Sequence, residues 1–227
     1  MPLKHLALLA SALPFVAVHL CYLLSAWQGH VDWCVPYLQG CTSISGGGRH
    51  GAAYFVFKGL MIPAAVVMGA YWFCYSQWLK LLGDDSEAQR RTLIVLGVVA
   101  SLGLILYTCV LGSIGDIYRT QRRIGVILYF GLTYVAQLLA TRRLARLNIT
   151  ELAGVYQSQL VVCLLMLLLG LANLFCEIFY DHYDELDDIF EWNFALLMII
   201  FYFISYWGWG RTAGVLKVQL ERWPLGR

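Results

Sequence analysis

Charge is what this chain has least of. Asp, Glu, Lys and Arg make up 13% of its 227 residues, about half the ~25% usual for a soluble domain. A chain so poor in charge and 60% hydrophobic is not built to be surrounded by water. The patterns of common active sites are missing too. There is no CxxC, HxxxH or HExxH for zinc, no GxSxG elbow and no P-loop. A net charge of +2, with basic residues scattered rather than striped, gives nothing for nucleic acid to bind. No metal, cofactor or nucleic-acid partner is therefore expected. Proline is scarce, and Pro14 and Pro63 alone fall within long apolar runs, where they read as helix kinks. No internal repeat, low-complexity tract or soluble domain breaks the chain.

What is present is a set of long apolar runs. A hydrocarbon core of about 30 Å needs roughly 20 apolar residues per helix. Six stretches reach or approach that length: 3–27, 53–82, 92–114, 124–141, 156–180 and 189–210, the fourth being the shortest. They lack the alternation of an outer-membrane barrel and read as helices. The first is too long for a signal-peptide core and no small-residue cleavage site follows it. The expected fold class is all-α, a polytopic bundle of six transmembrane helices forming one domain over residues 1–227.

Orientation follows from lysine and arginine. With the N-terminus inside, eleven of them (from Lys4 to Arg227) fall on inner segments, and Arg49, Arg119, Arg122 and Arg123 fall outside. Both termini are then expected to be cytoplasmic. The longest outer loop is 28–52, and the acidic segment 181–188 is also outer. The sequon at Asn148 lies inside, where it stays unglycosylated.

The outer ends hold most of the chemistry. Loop 28–52 carries His30, Asp32, Cys34, Cys41, Arg49 and His50. Cys34 and Cys41 are the two cysteines in a soluble outer loop, and an oxidising compartment would bond them. The other five read as small apolar core residues. Lys58 lies under two turns into the second helix, where it either snorkels to the interface or pairs with Glu177 or Glu191 at similar depth. With Asp116 these form a candidate buried charge network. Arg122 and Arg123, outside against the usual trend, suit a phosphate or carboxylate through bidentate bonds at a helix N-terminus. His19 reads as a hydrogen-bonded bundle residue. Gly46-Gly47-Gly48 reads as a flexible turn, and Trp27, Trp33, Tyr54, Tyr71, Trp72, Trp192, Trp207 and Trp209 as interfacial belts.

Three motifs resemble a known family. They are Cys34-Val-Pro-Tyr-Leu followed by Ser43-Ile-Ser-Gly-Gly-Gly, the Phe190-Glu191-Trp-Asn-Phe-Ala195 start of the last span, and its Tyr206-Trp-Gly-Trp-Gly210 end. Together they resemble the six-span Frag/DRAM/Sfk family, which includes damage-regulated autophagy modulators and a factor that remodels GPI-anchor lipid. Loop one departs from it in Gly-Gly-Gly-Arg-His, and Gly208 stands where the terminal motif carries aspartate. The resemblance implies a lipid-linked membrane function, with loop one and the starts of helices four and six as its working end.

Three functions remain in view. The first binds, organises or remodels membrane lipid, GPI-anchor-type lipid included, at an outer-leaflet site with Arg49, His50, Arg122 and Arg123 on the headgroup. The second is a lipid hydrolase or acyltransferase, with His50 or His19 as general base, Glu191 orienting it and Ser43 or Ser45 as nucleophile. The third is a scaffold whose acidic loop 181–188 holds a membrane-protein partner.

Overall fold

Inside a bilayer every backbone N–H and C=O needs a partner within the chain, so long apolar runs close into helices. A computed structural model of the protein, describing residues 3–180 and 184–212, shows this arrangement. Six helices are long and apolar enough to cross a membrane: α1 (Lys4–Trp27), α4 (Gly51–Leu81), α5 (Glu87–Val110), α6 (Asp116–Arg146), α7 (Ala153–Phe179) and α8 (Asp184–Arg211). Two four-residue helices, α2 (Pro36–Gln39) and α3 (Ile44–Gly47), lie in the loop between α1 and α4, and a 3₁₀ turn, Thr150–Leu152, precedes α7. The protein is an integral, multi-pass, all-α membrane protein. Pro14 lies inside α1 and Pro63 inside α4.

Each long helix packs on the next in sequence, and α8 returns to α1, closing a ring. The middle of the ring is filled by aromatics from α4 and α8 reaching across it. Tyr71 and Tyr202 meet edge to face with centroids 4.7 Å apart, Tyr71 stacks on Trp209 at 5.2 Å, and Tyr71 Oη lies 2.7 Å from Ser205 Oγ. Such tilted and offset pairs are the favoured arrangements for rings of this kind. The α5–α6 crossing is the tightest. A Cβ on Gly125 would sit 2.7 Å from the Gly103 carbonyl oxygen, so only glycine lets these backbones approach.

At the end carrying the α4–α5 loop, Arg143 of α6 clamps Asp84. Its Nε donates to Oδ2 at 3.0 Å and its Nη2 to Oδ1, while Arg90 donates to the Asp84 carbonyl. Asp84 and Arg143 are both buried. At the opposite end the loop containing α2 and α3 forms a cap. The structure joins Cys34 to Cys41 by a disulfide, with Cα atoms 6.4 Å apart. Gly40 allows α2 to rest on α8: its φ is +58° and an added Cβ would overlap the Glu185 carbonyl.

Four sequence expectations change. The fourth span, shortest as an apolar run, becomes a 31-residue helix, because hydrogen bonding continues through the polar turns beyond the hydrocarbon depth. Tyr71, Trp72, Trp192 and Trp209 are core residues, not belt residues, while Trp27, Trp33 and Trp207 are exposed. The glycine run is a packed turn: a Cβ on Gly48 would meet the Phe57 ring at 2.6 Å. Cys109 is exposed, whereas Cys21 and Cys163 are buried.

Candidate functional site

The buried positions of α7 end at Met166. Beyond it the helix is exposed or half-buried, and between it, α6 and α8 lies a cleft of about 660 Å³. Its apolar flank is made by Val126, Ile127 and Phe130 of α6, Leu169 of α7 and Phe194 of α8. Ile127, Gly131 and Gly170 are exposed on the outside of the bundle, so the cleft opens sideways, toward where lipid would lie. Its polar end, beside the cap, holds Ser45, Tyr107, Arg122, Arg123, Asp187 and Glu191. A narrow crevice of about 30 Å³ continues inward past Tyr107, Phe130 and Glu191 to Pro14 of α1.

Local structure explains why these side chains converge. Ser43 caps α3, its Oγ accepting from the Gly46 N–H at 2.9 Å, as N-cap serines do. That single turn presents Ser45, whose hydroxyl accepts from Arg49 Nη2 at 3.1 Å. Among the described residues the buried Nε of Arg49 has no hydrogen-bond partner. From α8, Trp192 and Asn193 hold the cap, donating to the Thr42 carbonyl at 2.8 Å and the Tyr37 carbonyl at 2.9 Å. Tyr22 Oη anchors the disulfide segment, accepting from the Cys34 N–H at 2.7 Å. With Trp192 turned into the cap, Glu191 is directed to the cleft, near the Ile44 backbone N–H and within electrostatic reach of Arg49, Asp187 and Asp188. Tyr107 stands among Ser45, Arg49, Arg122 and Glu191. Arg122 is braced by donating to the Ser113 carbonyl at 2.8 Å.

Among the sequence-read site residues, then, Arg49, Arg122, Arg123 and Glu191 come together. His50 does not join them. It is exposed in a separate hollow of about 380 Å³ with His30, Asp32 and Thr42, its ring 5.6 Å from that of His30. His19 is committed elsewhere, Nδ1 lying 2.7 Å from the Phe15 carbonyl and Nε2 2.9 Å from Tyr37 Oη. No hydrogen bond or ion pair joins either imidazole to Glu191 among the described residues. Ser43 and Ser45 are both occupied in building the cap.

The supposed charge network dissolves. Lys58 pairs with neither glutamate: its ammonium donates to Tyr54 Oη at 2.5 Å and to the Cys109 carbonyl at 2.9 Å, and it sits 4.1 Å from the Tyr54 ring centroid. A backbone carbonyl and an aromatic face offset a lysine's cost without a carboxylate. Asp116 is fully exposed, 3.9 Å from Arg119, and Glu177 is exposed on α7. Of the acidic segment 181–188, residues 181–183 lie outside the described residues; Asp184 to Asp188 form the first turns of α8. Sequence reading missed Tyr107, because a tyrosine in an apolar run looks like packing, and it missed the Asp84–Arg143 clamp, because Arg143 counted as an ordinary basic loop residue.

A six-helix ring with a disulfide-bonded cap and a laterally open, polar-ended cleft defines a membrane-embedded protein in contact with bilayer lipid. The chain belongs to the Frag1/DRAM/Sfk1/Cwh43P N-terminal domain family, whose model matches residues 2–211. Comparison with curated proteins and with solved structures gives no match.

Proposed function

We propose that the protein binds a membrane lipid in this cleft and organises or remodels it, a GPI-anchor-type lipid being the class the family link brings forward. The observation that carries the reading is the cleft's division. Arg122 and Arg123 line its capped end, Arg49 donates to Ser45 on the same rim, and an apolar seam open to the bilayer runs on from them. Arginines bind phosphate or carboxylate through paired N–H donors, and the start of α6 adds its own partial positive charge. Lysine and arginine counts support a capped end on the outer or lumenal side, and the reading takes residues 1–227 as one domain.

A hydrolytic reading needs an imidazole beside Glu191, and neither His19 nor His50 supplies one. A scaffold reading needs the acidic turns of α8 to face a partner, yet Asp187 and Glu191 line the cleft. Native mass spectrometry with lipid analysis on mildly solubilised protein tests the proposal. Wild type should retain a phosphate-bearing lipid, and Arg122→Ala/Arg123→Ala should lose it. Unchanged retention in that variant would remove the headgroup role.

A further inference from the structure

The polar end of the cleft is not uniformly basic. Arg119, Arg122 and Arg123 follow one another at i, i+3 and i+4 on the first turns of α6, a spacing that puts them on one face. Asp184, Asp187, Asp188 and Glu191 do the same on the first turns of α8. Arg122 and Arg123 meet Asp187 and Glu191 in one cleft. Opposite charges so placed usually close on each other. Here, among the described residues, neither arginine forms an ion pair with Glu191, and Arg122 is held back by the Ser113 carbonyl. Arg49 acts electrostatically on Glu191, and among the described residues no ion pair joins the two. A half-buried carboxylate without a close cation is costly, and a ligand cation relieves it.

We propose that the cleft selects a lipid whose headgroup carries both a phosphate and a primary amine. The phosphate rests on Arg122 and Arg123, and the ammonium donates to the Glu191 carboxylate, with Tyr107 lining the same polar end. An ethanolamine ester carries the phosphate and the amine on one small headgroup, so a single ligand can meet both the arginines and Glu191 of the cleft. A purely anionic headgroup would satisfy the arginines and leave Glu191 facing another negative charge. A choline headgroup would bring the positive charge but no N–H to donate. The inference rests on the lipid-headgroup reading above and adds the identity of the headgroup.

The test is competitive retention on the full chain in detergent, using an equal mixture of phosphatidylethanolamine, phosphatidylcholine and phosphatidylglycerol with matched acyl chains. Native mass spectrometry reads the bound lipid. Wild type should favour phosphatidylethanolamine over phosphatidylglycerol by about tenfold, the scale of one charge-assisted hydrogen bond. Glu191→Gln keeps the side chain's shape and should bring the two to parity, while Arg122→Ala/Arg123→Ala should lose all three. Loss in the arginine variant with an unchanged preference in Glu191→Gln overturns the amine inference and leaves the headgroup reading standing. Retention in the arginine variant overturns both. A second arm needs no variant: wild type offered phosphatidylethanolamine against its N-acetylated form should reject the latter about tenfold, and equal retention sinks the proposal.

Discussion

The indole N–H of Trp192 donates to the Thr42 carbonyl at 2.8 Å, and this bond ties the cap to the helix that carries Glu191. Trp192 is fully buried and meets Tyr22 and Tyr37 edge to face at 6.1 and 5.4 Å. Trp192→Ala should cost about 3–5 kcal/mol, as large aromatic truncations in cores do. Trp192→Phe keeps most of the packing and should cost about 1 kcal/mol for the lost bond. Thermal unfolding in detergent should rank the three proteins in that order. A tolerant Trp192→Ala would mean the cap is held by other contacts.

The disulfide acts on the unfolded chain. Cys34 and Cys41 close a short loop, their sequence separation being 7. Loop-closure entropy for a ring of that size is about 2.5 kcal/mol. Cys34→Ser/Cys41→Ser should lose that much, and reductant should destabilise wild type while leaving the double variant unchanged. An equal response of both proteins to reductant would show that the bond contributes nothing.

Gly170 separates site from scaffold. An added Cβ there meets nothing within 4 Å, and the same holds at Gly131. Gly170→Leu fills the seam and should lower lipid retention at least severalfold with little change in melting temperature. Gly125→Leu, set against the α5 backbone, should instead prevent the bundle from closing. If the two variants behaved alike by thermal melting and lipid retention, the seam would not be the binding surface.

Asp84 and Arg143 can be tested far from the cleft. Breaking a buried pair by Arg143→Ala leaves a carboxylate stranded and should cost about 3–5 kcal/mol, whereas the apolar double replacement Asp84→Leu/Arg143→Leu should recover much of it. Retained lipid per folded molecule should stay at the wild-type level in both. A fall in the double variant would connect this end to the site.

Lys58→Met removes the cation that sequence reasoning set either at the interface or beside a glutamate. With Tyr54 and Cys109 as its partners, the change should leave lipid selectivity untouched. A selectivity shift equal to that of Glu191→Gln would restore the pairing that the geometry denies.

The spans could be read because an apolar run of bilayer length has one solution, and Glu191, Arg122 and Arg123 stood out because charge near that depth is costly. What could not be read was direction around each helix. Trp192 and Trp207 lie at the ends of the same span, one buried and one exposed, and hydropathy reports depth without azimuth. The partner of Lys58 was invisible for another reason: a carbonyl is present at every position and marks none. His50 and Arg49 are adjacent in sequence, but His50 caps the start of α4 while Arg49 ends the turn after α3, and one step of backbone sends Arg49 to Ser45 and His50 to the hollow beside His30.

The ring closes between α1 and α8, the first and last of the long helices, and this sets an order on the protein's assembly. A cap tethered to α1 and α4 leaves the ribosome early, whereas Trp192, Asn193 and Glu191 arrive only with α8. Until α8 inserts, the arginines of α6 have no acidic face opposite them and the cap lacks the bonds from Trp192 and Asn193. The cleft therefore forms only once α8 is in place, and a chain stopped before α8 would hold five helices in the membrane without it.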